Sequence, residues 1–290
     1  MIISMSILLK EAKKSSYGVA APNVFNRETI EAAFKAGEKL RAPVILDVHP
    51  VHGPKECAGI VRYFEKQYPE VPAALNLDHG ATFDQAMEAI HAGFSSVMVD
   101  RSTLPFDENV AQVKEIVKVA HSLGVSVEAE LGHVGQGTEY AQTRDAGLTR
   151  PEEAVSYVEQ TQCDCLAVSV GTSHGMYHGT PHIDFELLSK LAKEVAVPLV
   201  LHGGSNTGDE NLKSAVAHGI SKINLNTDLN EGGLAAVKAA CEKDFCREVK
   251  QNGGSKLVRM NLQTLFTIGA DGWQSVLEHY MQLFGSAGRF

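Results

Sequence analysis

The stretch PLVLHGGS (198–205) decides how this chain is read: an apolar run opened by Pro198, closed by His202, then two glycines and Ser205. A short Val/Leu run bounded by Pro and Gly has the character of a strand buried on both faces, with the polar residues at its end. The same pattern recurs along the chain. YGVAAP (17–22) leads to Asn23 and Asn26, PVILDV (43–48) to His49, and AALNL (73–77) to Asp78-His79-Gly80. SSVMV (95–99) leads to Asp100-Arg101-Ser102, and SVEAEL (126–131) carries Glu128 and Glu130. LAVSV (166–170) leads to Ser173-His174-Gly175, and KINL (222–225) carries Asn224 and leads to Asn226-Thr227. Between these eight runs lie stretches with apolar residues at helical spacing: 28–41, 82–92, 107–122, 151–162, 184–194, 210–218 and 229–243. Asp107-Glu108, Thr149 before Arg150-Pro151, and Asp184 are helix start signals, and Ser6 is the expected cap of a short N-terminal helix through Lys14. Strands alternating with helices over this length predict a single α/β domain, a (β/α)8 TIM barrel over 1–243. A tail over 244–290 with two helical patterns is expected to pack outside the barrel or against another subunit.

The bulk numbers exclude several classes. A formal net charge of -9 over 290 residues argues against nucleic acid or an anionic membrane as the partner. The five cysteines (Cys57, Cys163, Cys165, Cys241, Cys246) follow no metal or redox spacing and are expected to be reduced thiols in a cytoplasmic protein. MIISMSILLKEAKKSSYG lacks the charged start and cleavage site of a signal peptide, and no apolar run is long enough to span a bilayer.

In a barrel of this kind chemistry gathers at the C-terminal ends of the strands, so residues far apart in sequence meet at one rim. His79, His174 and His202 all stand there. One histidine after a strand is more often a hydrogen-bonded surface residue than a ligand; three at equivalent ends make the donor set of a catalytic zinc with an open fourth position. Asp78, next to the first of them, is the candidate for proton transfer, although neighbours in a regular strand point apart. Loops after strands seven and eight commonly bind phosphate. Here they hold Gly203, Gly204, Ser205 and Asn226-Thr227, whose N–H groups and hydroxyls suit an anion. A metal within one small-molecule length of a phosphate points to a phosphorylated carbonyl substrate. The Gly-rich polar loop 132–149 after strand five is expected to be an active-site lid or a disordered excursion, and His133 and His178 are the loop histidines expected nearest the site.

Taken together, NLDHG, SVEAELG, VGTSHG, LVLHGGS, KINLNTDL and the terminal FGSAGR resemble the class II, zinc-dependent ketose-bisphosphate aldolases of the fructose and tagatose branch. The resemblance runs in order along essentially the whole chain. It implies reversible cleavage of a ketose 1-phosphate into dihydroxyacetone phosphate and an aldehyde. It also implies His79, His174 and His202 as zinc ligands, Asp78 as the acid/base at the C4 hydroxyl, and Glu139 as the nearest candidate for the lid's proton-transfer role. Gly175, Gly203, Ser205 and Thr227 are then phosphate contacts, Asn224 a contact to the ketone, and Asp100 and Glu130 acidic residues supporting the metal or offering alternative ligands. A monovalent cation beside the zinc and a homodimer or homotetramer belong to the same expectation.

The chain departs from this pattern at Pro22, His49, Arg101, His178, Asn206 and Asn226 and around KLVRMNLQTLF (256–266). Asn23, His49, Arg101 and Arg259 are therefore the candidates for setting acceptor specificity. Alternatives are the same chemistry on a deoxy, sulfo or longer sugar phosphate, or a sugar-phosphate-binding homologue without turnover. A metal-dependent hydrolase on this barrel is disfavoured because no His-x-His pair ends the first strand. Lys222 has no neighbour that marks it as a reactive amine.

Overall fold

In the computed structural model, which describes all residues except 136–146, 176–180, 243–245 and 252–253, eight parallel strands close into a barrel in chain order. They are β1 (Val19–Pro22), β2 (Val44–Val48), β3 (Ala73–Gly80), β4 (Ser96–Val99), β5 (Ser126–Leu131), β6 (Cys165–Val168), β7 (Leu199–Leu201) and β8 (Ile220–Leu225). A helix follows each: α2 (Arg27–Leu40), α3 (Pro54–Glu65), α4 (Phe83–Ala92), α5 (Phe106–Ser122), α6 (Pro151–Thr161), α7 (Phe185–Glu194), α8 (Asp209–Ala217) and α9 (Thr227–Cys241). Before them α1 (Met5–Ser15) closes the bottom of the barrel, and α10 (Leu262–Leu283) packs outside it. The expected (β/α)8 architecture is the one formed.

Strand periodicity explains the interior. Alternate side chains point inward, and at the N-terminal end these are small and apolar: Val19, Ala21, Ile45, Ala74, Cys165, Ala167 and Val200 pack on Met5, Leu8, Leu9 and Ala12 of α1. Nearer the C-terminal end of the barrel the inward positions are Asp47 and, on β3, β5 and β8, Asn76, Asp78, Glu128, Glu130, Lys222 and Asn224, all buried. The outward positions, such as Val44, Leu46, Leu75, Leu77, Val127 and Leu201, lie under the helices in the main core. The barrel thus changes from hydrocarbon to charge along its axis, and the charged end is where the loops gather.

Three local expectations are corrected. Helix α3 adds to the helices expected from sequence, with Pro54 at its first turn and buried Cys57, Ala58, Val61 and Phe64 carrying the helical period. Ser6 lies inside α1 rather than capping it, whereas Asp184 does cap α7, its side chain accepting the Leu187 N–H at 2.9 Å. The tail is not helical throughout: Cys246–Gln251 and Gly254–Arg259 pair as an antiparallel two-stranded sheet (β9, β10) before α10 begins.

Helices α9 and α10 cross at glycines. A Cβ on Gly272 would come within 2.6 Å of the Gly232 carbonyl oxygen, and one on Gly233 within 2.9 Å of that of Gly269. Among the described residues no helix is long and apolar enough to cross a membrane.

Candidate active site

Asp78 and His79 are adjacent yet both serve the rim, because β3 breaks its own regularity. His79 takes φ 51°, a left-handed conformation uncommon for a side-chain-bearing residue, and the β3–β4 register shifts between Leu77 and Gly80. The kink turns both side chains to one side, leaving His79 Nε2 3.8 Å from Asp78 Oδ1. Strain of order 1–3 kcal/mol at such a position persists only when its surroundings enforce it. Gly80 helps, since a Cβ there would sit 2.6 Å from the Met98 carbonyl oxygen.

His79, His174 and His202 bring one ring nitrogen each within 4.8 Å of one another. Their hydrogen bonds select which nitrogen. His202 Nε2 donates to Glu128 Oε1 at 2.8 Å, leaving Nδ1 to face His79 Nε2 at 3.1 Å. His79 Nδ1 is 3.1 Å from Asp100 Oδ2, so Nε2 is its inward atom. His174 Nδ1 meets the Val134 carbonyl at 3.2 Å, and its Nε2 is buried with no partner among the described residues. Two ligands about 2.0–2.1 Å from one tetrahedral ion lie roughly 3.3 Å apart, close to the His79–His202 spacing. Three nitrogen lone pairs converge, each ring oriented by an acceptor behind it, as histidine–metal sites require. Glu130 makes a second candidate group with His79 and Asp100; its Oε1 accepts the Val134 N–H at 3.1 Å and its Oε2 has no hydrogen-bond partner among the described residues.

The charge balance agrees. Burial and its imidazole neighbours push His174 down to about 3, so that ring is neutral and able to ligate. His79 goes the other way: burial lowers it, but Asp78, Asp100 and Glu130 outweigh that and raise it to about 10. Burial raises Glu130 to about 8, with the Asp100 charge adding to it. So many carboxylates around one point call for a cation, which a proton on His79 or a divalent ion in its place provides.

Asp78 is buried, and its two oxygens accept from Asn23 Nδ2 at 2.7 Å and Asn224 Nδ2 at 3.2 Å. Burial would raise its pKa, yet His79, His202 and Lys222 outweigh it and hold the carboxyl well below the usual range, so it stands ionised as a base. Deeper in the barrel, Lys222 Nζ pairs with Glu128 Oε2 at 2.7 Å and Asp47 Oδ2 at 3.1 Å, all three groups fully buried. The two carboxylates overcome the effect of burial and keep this amine charged, in accord with its expected lack of nucleophilic character.

A cavity of about 510 Å³ opens over this cluster, and the residues of the candidate anion cradle, Gly175, Gly203, Ser205, Asn226 and Thr227, line it as well. Gly203 has φ 67°, and a Cβ there would lie 2.2 Å from the Ser173 carbonyl oxygen; only glycine lets the β6 and β7 loops touch. Gly204 lies beneath the cradle, where a Cβ would meet the Asn224 carbonyl oxygen at 2.7 Å. Ser205 Oγ accepts the N–H groups of Asn226 at 3.1 Å and Asp228 at 3.3 Å, so its own proton is available to an anion at the start of α9.

The other sequence candidates are distributed unevenly. Asn23, His49, His133 and Asp100 line the cavity, as does His52, which sequence reasoning did not single out. His49 Nδ1 accepts the Val51 N–H at 3.3 Å, which leaves its other nitrogen as the donor. Arg101 is not in this cavity: its guanidinium is bound to Gln112 at 2.6 Å, the Asp100 carbonyl at 2.7 Å and the Gly80 carbonyl at 3.1 Å behind the rim. Arg259 is exposed on β10, away from the cavity lining. Glu139 and His178 lie outside the described residues.

An ionised aspartate, a cluster of candidate metal donors and a candidate anion cradle at the C-terminal face of a (β/α)8 barrel point to the class: a barrel enzyme. The family follows. The model of the class II fructose-bisphosphate aldolases matches residues 3–289, and the chain belongs to that family of lyases. The YdjI aldolase from Escherichia coli K12 is similar at 29% identity with TM-score 0.85, over 100% of this chain and 99% of that one. A putative fructose-1,6-bisphosphate aldolase from Coccidioides immitis is similar at 26% identity with TM-score 0.82, over 98% and 97%. The fructose-bisphosphate aldolase of Campylobacter jejuni, at 23% identity and TM-score 0.81 over 99% and 96%, supports the fold.

Proposed function

We propose that this protein is a zinc-dependent aldolase that reversibly cleaves a ketose 1-phosphate into dihydroxyacetone phosphate and an aldehyde. The observation that carries the reading is the convergence of His79 Nε2, His174 Nε2 and His202 Nδ1 beside ionised Asp78 in one cavity. These three would hold zinc, with Asp100 and Glu130 supporting it, and a monovalent cation is compatible with the surplus of carboxylate. Bound zinc supplies Lewis-acid polarisation of the substrate carbonyl.

The rest is the work of the chain. Gly175, Gly203, Ser205 and Thr227 grip the phosphate through N–H and hydroxyl donors, and Asn224 orients the ketone end. In cleavage Asp78 takes the proton of the C4 hydroxyl, C4–O becomes the aldehyde carbonyl, and the C3–C4 electron pair moves to the donor fragment. Asn23 and Asn224 fix the carboxylate for that transfer. Glu139 is the candidate that returns a proton to C3.

For the acceptor, a fructose- or tagatose-bisphosphate type substrate is the first reading. A second is favoured by one observation: among the described residues lining the cavity there is no Lys or Arg, only imidazoles at the side occupied by His49 and His52. That suits a deoxy or longer acceptor with no second anionic group, with Asn23 and His49 as specificity contacts. The chain would act as a single-domain cytoplasmic enzyme, assembled as a homodimer or homotetramer. Zinc-loaded protein assayed across a panel of ketose phosphates tests the proposal. Cleavage of one of them, abolished by a chelator and restored by zinc, supports it; zinc uptake with no cleavage of any member points to a binding homologue.

A further inference from the structure

Lys222 has no part in the chemistry above, yet it is among the largest fully buried side chains. A buried ion pair is weak evidence for stability, since its desolvation often cancels its attraction. The chain of contacts it belongs to suggests what it does instead. Asn76 Nδ2 donates to Asp47 Oδ1 at 2.8 Å, Asp47 Oδ2 lies 3.1 Å from Lys222 Nζ, and Lys222 Nζ is 2.7 Å from Glu128 Oε2. Glu128 Oε1 then receives His202 Nε2 at 2.8 Å. The line runs from β3 and β2 through β8 and β5 to the end of β7, and finishes on one imidazole.

We propose that Glu128, clamped by Lys222, is a positioning residue that selects the nitrogen His202 presents to the metal. The inference rests on the metal-ligand reading of His202. A carboxylate only accepts, so the ring nitrogen facing it carries the proton and Nδ1 is left bare. Lys222 holds the other carboxylate oxygen, so the group cannot rotate and Oε1 stays in line with the ring. Without this clamp His202 is free to take the other tautomer, which aims an N–H at His79 Nε2 and closes the site to a cation.

Two variants test it. Glu128→Gln keeps the shape but offers an amide whose NH₂ must face either the Lys222 ammonium or the His202 ring. Glu128→Asp keeps the charge pair with Lys222 but withdraws the acceptor from His202 by one carbon–carbon bond. The readouts are the ¹⁵N shifts of the His202 imidazole in metal-free protein, the zinc dissociation constant by chelator competition at fixed pH, and the visible spectrum of the cobalt form. The expected result is an Nε2–H tautomer in the wild type, a mixed or Nδ1–H tautomer in the variants, and zinc affinity about 10- to 100-fold weaker, as for other outer-shell partners. A purely structural role would lower the melting temperature without changing the tautomer. Should Glu128→Gln fail to fold, Glu128→Asp decides by the same readouts. Wild-type zinc uptake with variants that fold, keep the tautomer and bind zinc as tightly would overturn the inference alone. Wild-type protein that takes up no zinc would overturn the metal reading and this inference with it.

Discussion

His79 Nε2 and His202 Nδ1 face each other at 3.1 Å, each with its other ring nitrogen against a carboxylate. Two lone pairs at that distance repel unless a cation lies between them. Replacing His202 by Ala is therefore expected to abolish stoichiometric zinc binding, measured by metal analysis after dialysis, and to abolish cleavage. Borohydride in the presence of substrate should leave the enzyme active, because Lys222 is charged and paired with Glu128 and Asp47. Inactivation with label on Lys222 would refute the metal mechanism.

Asp78→Asn removes the proton acceptor but little volume. Loss of a general base costs about 10²–10⁴-fold in rate, so kcat should fall in that range while zinc content stays stoichiometric. Equal activity in the variant would move the proton transfer elsewhere. Zinc content is the control, since an amide next to His79 that disturbed the ligand geometry would lower both.

Ser205→Ala removes the hydroxyl that accepts from Asn226 and Asp228 and donates towards the anion. A hydrogen bond to a charged group contributes about 1.5–3 kcal/mol, so binding of dihydroxyacetone phosphate should weaken roughly 10- to 100-fold. Titration calorimetry of the zinc-loaded variant measures this directly. Unchanged affinity would place the phosphate outside the cradle.

Gly272→Val inserts a side chain where a Cβ already comes within 2.6 Å of the Gly232 carbonyl oxygen and 2.7 Å of Ala236 Cβ. Overpacking of this kind costs about 1–3 kcal/mol. The expected result is a lower melting temperature and, because α9 begins at Thr227 in the cradle, weaker phosphate binding. A variant with wild-type stability would mean that α10 shifts without strain.

Burial pushes the Cys163 thiol up to about 12, a shift that the Thr161 hydroxyl only partly opposes. The folded protein keeps this proton while the unfolded chain releases it near the ordinary thiol value of 9.0. The group's contribution is therefore full below pH 9 and declines as pH rises toward 12. Cys163→Ala should show a shallower loss of stability between pH 9 and 10.5, by up to about 1.4 kcal/mol per pH unit. Denaturant unfolding at several pH values in that interval measures the slope; parallel slopes would show that the thiol titrates normally.

Much of this was legible in the residues. The eight strands announce themselves as apolar runs, and Asp78, His79, His174 and His202 stand where a parallel barrel collects its chemistry. Helix α3 is equally legible, in Pro54 and the helical spacing of Cys57, Ala58, Val61 and Phe64. Less of the structure is legible where the relevant signal is not periodicity. Its place after β4 makes Arg101 a specificity candidate, but the turn directs its guanidinium to backbone carbonyls behind Asp100. The short runs of β9 and β10 also fit a helical count, which hides the pairing.

The sequence by itself determined the order of elements, the barrel and the residues at its rim, because hydropathy period and turn residues act over a few positions. Tertiary structure alone decided how those residues are used. Lys222 meets Glu128 across 94 residues of chain, and Glu128 meets His202 across 74. Those contacts depend on the register of β5, β7 and β8 and on which alternate side chains face inward at the same height. Which nitrogen of an imidazole is bare, and whether a buried lysine is a nucleophile or a clamp, follow from distances of about 3 Å, set when the barrel closes.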